Sequence, residues 1–303
     1  MINISVMKKL IRFLFSLVFL FPAGLLAQDL MDMLNEEEEQ KTEYTYATFK
    51  ATRVINGQSI ENPKKGALNF VISHHFGRIN DGWYEFFGLD QANIRFGFEY
   101  GITDWLAIGV GRTSVEKTYD GSVKVKFLRQ SKGLRNMPVS LSYYGDVSCS
   151  SLKWQEPERE NYFSSRLEYL HQLLIARKFG SIVSLELVPT YIHRNLVPTE
   201  DDQNDVFAIG TGGRVKITNR LAITGEYYYL LPGQTADDFY NSFSIGLDLE
   251  TGGHVFQIYL TNSQGLLGQQ FIAETTGQWS KGDIHIGFNI NRTFQIVKPK
   301  VGQ

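Results

Sequence analysis

Between Asn93 and Thr113 the chain reads NIRFGFEYGITDWLAIGVGRT. Ile94, Phe96, Phe98 and Tyr100 alternate with Asn93, Arg95, Gly97 and Glu99. After a turn at Thr103-Asp104 the alternation resumes, with Leu106, Ile108 and Val110 against Ala107, Gly109 and Gly111. A period of two puts one set on each face of a sheet. Two such runs around a tight turn make an antiparallel hairpin. One face is apolar, and the other is small, polar or charged. Such a hairpin fits a lipid-facing β-barrel, and by itself it fits a soluble sandwich equally well.

The connections separate the two. Strand-like runs fall near 66–76, 92–101, 105–115, 119–129, 138–148, 162–178, 181–193, 205–217, 221–231, 240–250, 254–262 and 282–294. These are about twelve spans, and a tilted transmembrane strand needs about 9–11 residues. Short connections at 102–104, 179–180, 218–220 and 251–253 alternate with long ones at 77–91, 149–161, 194–204, 232–239 and 263–281, with 130–137 intermediate. Outer-membrane barrels pair short periplasmic turns with long outer loops. A sandwich has no reason to sort its loops in this way. The expected fold is therefore all-β: an antiparallel transmembrane β-barrel of about twelve strands over residues 66–296, with a tail at 297–303.

The N-terminus agrees with an exported protein. Met7-Lys8-Lys9 and Arg12 are followed by the apolar run Phe13–Leu26 and a cleavage point at Ala27-Gln28. This reads as a secretory signal peptide over residues 1–27. No cysteine follows it, so it is not a lipoprotein signal. Residues 28–65 begin with an acidic stretch and contain the irregular YTYATFKATRVI, broken by Asn56-Gly57 and Pro63. A spanning strand there would upset the loop alternation, so this segment belongs in the periplasm or inside the lumen.

The two strand faces differ throughout. Val123, Val125 and Phe127, Leu185 and Leu187, Phe243, Ile245 and Leu247, and Ile286 and Phe288 point to the lipid side. The opposite side carries Arg95, Glu99, Lys124, Lys126, Arg166, Glu168, Glu186, Arg214, Lys216, Glu226, Asp248, Gln257 and Asn289. Charges of both signs in a dry core cost several kcal/mol each unless paired. A wet or cross-braced lumen accommodates them, so these are the candidate lumen-facing residues. Mean hydropathy is −0.19, as expected when half the strand positions face a polar interior.

Three stretches resemble a known family. They are Thr48–Ser59 (TFKATRVINGQS), Gly253–Asn262 (GHVFQIYLTN) and Gly282–Phe294 (GDIHIGFNINRTF). Together with the signal ending Leu-Ala-Gln, they resemble a Bacteroidota family of outer-membrane β-barrel proteins of unknown function. The resemblance implies a barrel in the outer membrane and brings no catalytic residue with it.

Chemistry is sparse. His74 and His75 are strand neighbours and point to opposite faces. His171 and His193 are not directly opposite, and His254 and His285 sit at opposite ends of neighbouring strands. The single cysteine, Cys149, excludes an internal disulfide. No metal-ligand spacing is present. Ser114-Val-Glu-Lys117 and Ser150-Ser-Leu-Lys153 match S-x-x-K without its companion motifs, and no G-x-S-x-G elbow occurs. A net charge of −2 makes no electrostatic case for nucleic acid. No cofactor and no enzymatic activity are expected. The expected partners are outer-membrane lipid and small polar solutes. The functional expectation is a narrow channel. The alternative is a closed barrel that acts as a scaffold through its outer loops or periplasmic tail, and a barrel-embedded lipid hydrolase comes third.

Overall fold

The alternating runs become strands because each presents one face to the inside and one to the outside of a closed sheet. The structure is a computed structural model, and it describes residues 41–154, 157–197 and 199–297. The expected signal peptide and the tail beyond 297 lie outside the described residues. Twelve strands form the barrel: β1 Ala67–Arg78, β2 Ala92–Gly101, β3 Leu106–Thr113, β4 Thr118–Leu128, β5 Ser140–Ser150 and β6 Leu167–Phe179. The second half comprises β7 Val183–Arg194, β8 Asp205–Lys216, β9 Leu221–Leu230, β10 Ser242–Thr251, β11 His254–Thr261 and β12 His285–Gln295. Each pairs antiparallel with the next, and β12 closes on β1 with Asn289 opposite Ser73 and Ile290 opposite Ile72. Closure leaves no open edge.

The loops sort by end. Connections 102–105, 129–139, 180–182, 217–220 and 252–253 lie at one end; 79–91, 114–117, 151–166, 195–204, 231–241 and 262–284 lie at the other. The turn at 114–117 is the one tight connection at the long-loop end. The strand expected from residue 162 starts at Leu167, because Phe163–Arg166 curl into a 3-10 turn. The last strand starts at His285 rather than 282, because Gly282 takes a left-handed conformation after the 3-10 turn Trp279–Lys281.

The outer face is apolar and exposed: Phe96, Phe98, Ile108, Val110, Phe127, Leu185, Ile245, Leu247, Leu249 and Ile258 all point outwards. A continuous band of this kind is the lipid contact of a transmembrane barrel. Trp105 and Tyr162 stand exposed near strand ends, where interfacial aromatics belong. The inward positions are buried, so the core of this protein is its lumen.

That core corrects one expectation. The lumen face is not polar all round. On β6 to β9 it carries Leu170, Leu174, Ala176, Val188, Ile192, Val206, Ala208, Tyr228 and Leu230. Against this wall pack Phe49, Val54 and Ile60 from the N-terminal segment. Phe271, Ile272 and Ala273 join them from a short helix, α1 (Gly268–Ala273), in the loop 262–284. The same strands also carry Gln172, Glu186, Arg214 and Glu226 inwards, and the other strands are mostly polar within. The lumen thus mixes apolar and polar positions, and it is filled.

Candidate functional site: a lumen closed from both ends

The filling starts at the short-loop end. Glu43–Tyr44 pairs with Ser131–Lys132, and the ammonium of Lys178 donates to the carbonyls of Tyr46 (2.8 Å) and Ala47 (3.2 Å). The chain then enters the barrel, and Ala51 to Ile60 are buried throughout. They fold back on themselves. Arg53 bridges to Gln58, the Val54 amide donates to the Gly57 carbonyl (2.9 Å), and the Ser59 amide to the Thr52 carbonyl (2.9 Å). Asn56-Gly57 forms the tip, where turn-forming residues belong. Glycine at position 57 leaves room for the Tyr228 hydroxyl, from which a Cβ there would lie 2.1 Å, so a larger residue would push that ring aside.

Polar side chains around the wall hold this hairpin by its main chain. The Glu226 carboxylate, on β9, accepts from the amides of Ile55 (3.2 Å), Asn56 (2.8 Å) and Gly57 (3.0 Å). Glu186, on β7, accepts from the Ile60 amide (2.8 Å). Lys124, on β4, donates to the carbonyls of Ser59 (3.1 Å), Glu61 (3.1 Å) and Thr52 (3.4 Å). Gln257 donates to Val54 O and Asn289 to Ile55 O, each at 2.8 Å. Side chains are gripped at two places: Asn56 reaches Ser244, Thr261 and His75, and Thr52 meets Asn69.

The wall also braces itself. Arg95 and Asp120 form a buried ion pair. Gln257 donates to Asp248 (2.9 Å) and accepts from Asn289 (3.0 Å), and Arg214 faces Asp248 at 3.8 Å. At the short-loop rim, Lys50 pairs with Glu250 at 2.8 Å.

The long-loop end is closed by the loop 262–284. Phe271 of α1 meets the Tyr228 ring edge-on at 5.2 Å. Gln269 donates to Asp146 (2.9 Å), and His75 contacts the Gln264 carbonyl (3.3 Å). Between the hairpin tip and α1 lies a cavity of about 10 Å³, lined by Arg53, Gly57, Asp146, Gln172 and Phe271 among others. It has room for one water at most. At the mouth, Arg194 is wholly buried between Asp202 (3.5 Å) and Glu274 (3.7 Å).

Among the residues singled out from the sequence, the structure places Arg95, Lys124, Glu186, Arg214, Glu226, Asp248, Gln257 and Asn289 on the inward face and buried. Glu99 is inward and accepts from Asn69 (3.2 Å). Glu168 lies near the long-loop end and accepts from Ser148 (3.3 Å). Lys126 and Lys216 are half-buried towards the other end. Arg166 requires correction. It sits in the 3-10 turn before β6, donates to the carbonyls of Ser150 (2.8 Å) and Leu152, and lies 3.7 Å over the Trp154 ring. It braces a loop and does not line the lumen. Sequence reasoning passed over Asp120 and Asp146, although both occupy inward positions of the alternation in β4 and β5. The roles of Asn56, Gly57, Gln269 and Phe271 carried no periodic signal.

A family model described as a membrane-bound beta barrel domain (DUF5777) matches residues 49–294. Among solved structures, the NanC porin is 9% identical with a TM-score of 0.47, covering 75% of this chain and 98% of that one. An outer-membrane channel from Pseudomonas putida F1 is 14% identical with a TM-score of 0.45, covering 77% and 96%. The outer-membrane phospholipase A from Escherichia coli is 11% identical with a TM-score of 0.43, covering 74% and 89%. No curated protein matches the sequence.

Proposed function

The chain belongs to the membrane-bound β-barrel domain family DUF5777, and on that premise we propose that it is an outer-membrane channel for small polar solutes, held shut by its own N-terminal segment. A closed antiparallel barrel with an apolar outer band is an outer-membrane protein. The short-turn end faces the periplasm, and residues 1–27 are the export signal that takes the chain there. On the stretches at 48–59, 253–262 and 282–294 we place the chain in a Bacteroidota branch of the family. Its lipid partner is the surrounding bilayer. No residue is assigned a catalytic role.

One observation carries the channel reading. The segment that fills the barrel stands apart from the barrel ladder and joins β1 only through a stretch that includes the exposed Lys64 and Lys65. Its main chain is held by polar side chains of the wall, and Phe49, Val54 and Ile60 add apolar contacts. Once it leaves, Lys124, Glu186, Glu226, Arg214 and Asp248 face open space, and a wall with both signs of charge takes up water.

Planar-bilayer conductance tests this. The full-length mature protein should be mostly silent, and the protein lacking residues 28–65 should give stable steps. In that truncated form, Glu226→Lys should shift the ion selectivity towards anions. A second reading, a permanently closed scaffold, is favoured by the packing of α1 into the other end of the lumen. Silence from both proteins, with heat-modifiable gel mobility showing that both are folded, would establish the scaffold and end the channel reading.

A further inference from the structure

The lumen wall reads main chain. Glu226 and Glu186 accept from the amides of residues 55–57 and 60, and Lys124, Gln257 and Asn289 donate to the carbonyls of residues 52, 54, 55, 59 and 61. Any buried segment must have its amides and carbonyls satisfied. What distinguishes this lumen is the source of the partners. They are side chains of the barrel strands, and the same wall offers Leu174, Val188 and their neighbours to Phe49, Val54 and Ile60. Glu186 and Val188 share β7, and Glu226 and Tyr228 share β9. The lumen thus offers polar groups to a backbone and apolar ones to side chains. A polyol would leave hydroxyls against the apolar residues, and a simple ion would gain nothing from them. A peptide with a turn satisfies both kinds of group at once.

We infer that the lumen, once residues 48–61 have left it, is a peptide-binding site, and that those residues are its resident occupant. The peptides it takes are short and turn-forming, with apolar side chains on one flank. Most of the hydrogen bonds are to atoms that every residue carries, so the site tolerates sequence variation wherever the turn and the apolar positions are kept. This inference rests on the channel reading, because the occupant must be able to leave.

The test uses the full chain. A protease site is inserted beside Lys64, the protein is folded into dioleoylphosphatidylcholine vesicles, and the site is cut afterwards, so folding precedes the break. Two fluorescent peptides are then added. One has the sequence of residues 48–61; the other keeps only Phe49, Val54, Gly57 and Ile60, with serine or alanine elsewhere. Both should bind by anisotropy within about tenfold of each other and block conductance, and Glu226→Gln should weaken both by about tenfold or more, because charge-assisted hydrogen bonds to the turn are lost. Maltotriose should not compete. Full-length Gly57→Val is run in parallel for a cut segment that stays seated. Its side chain would meet the Tyr228 hydroxyl and should loosen the seated hairpin with every wall residue kept. If only the native sequence binds, the segment is a dedicated closure and the inference falls. If the opened barrel conducts and neither peptide binds, the channel stands and the peptide site falls. If the opened barrel is silent and neither peptide binds, both fall.

Discussion

Glu226 concentrates the design in one carboxylate. It projects inwards from the middle of β9 and takes three consecutive amides of a hairpin 169 to 171 residues away in the chain. Replacing it by glutamine keeps the shape and removes the charge. Hydrogen bonds to charged groups contribute about 1.5–3 kcal/mol. Glu226→Gln should therefore loosen the hairpin by roughly this much, measured as faster hydrogen exchange at Ile55, Asn56 and Gly57 with unchanged exchange in the barrel strands. The buried Arg95–Asp120 pair belongs to a different class, because it joins wall to wall. Gly97 and Gly111 make room for the guanidinium: a Cβ would lie 2.5 Å and 2.4 Å from its nitrogens. Breaking a buried pair strands the remaining charge and costs about 3–5 kcal/mol. Asp120→Asn should lower the urea unfolding midpoint accordingly, and adding Arg95→Met should restore most of the loss. The inward position of Glu226 was legible from the alternation in residues 221–230. Its role was not, because nothing local to β9 says what it faces.

At the scale of elements, the strands follow from short-range pattern and the plugs do not. The alternation in residues 242–251 places Phe243, Ile245, Leu247 and Leu249 outside, and the sheet keeps them there, because a one-residue slip would turn every one of them inwards. Residues 48–60 and α1 lack that period. Their conformation depends on the cavity they fill, so the sequence showed only that the N-terminal stretch was irregular and belonged in the periplasm or the lumen, and that the last loop was long. The long loops are also tied to each other. Asp283 accepts from the Asn80 side chain (2.7 Å) and the Gln278 amide (3.1 Å), joining loop 262–284 to loop 79–91. Those two hydrogen bonds, Asn80 first, hold its carboxyl below the usual aspartate range. With the folded value depressed, the stabilisation is complete above the ordinary aspartate pKa of about 3.9 and is lost as pH falls through the folded value. Acidification below about pH 4 should therefore loosen this junction, seen as a change in tryptophan fluorescence that Trp279→Phe abolishes. Asp283→Asn should remove the acid step.

For the whole molecule, the decisive property is that its apolar surface lies outside and its hydrogen-bonded core inside. Leu247 is 49% exposed on the outer face, between Ile223 and Ile258 on the flanking strands. An arginine at the bilayer midplane on the lipid face costs about 2–4 kcal/mol. Leu247→Arg should lower stability in vesicles by that order, measured by reversible urea unfolding. The same change at an exposed outer-loop position such as Leu196 should be nearly silent. Equal effects at the two positions would contradict a lipid-facing Leu247.

The sequence by itself determined an antiparallel barrel of about twelve strands, the sorting of most loops and the parity of the strands, because a period of two and a turn are local properties that no distant contact can reverse cheaply. Arg166 marks the limit: its position has the right parity, but the chain has not yet become strand there. Only the tertiary structure decided what the barrel contains. The hairpin meets Glu226, Asn289 and Gln257 across separations of 169 to 234 residues, and the apolar cluster in the lumen exists only because β6 to β9 stand together around it. Closing the sheet is what brings these groups within hydrogen-bonding reach. An open lumen and a filled one are written in the same alternating strands, and the difference lies in where a short aperiodic segment finds partners for its main chain.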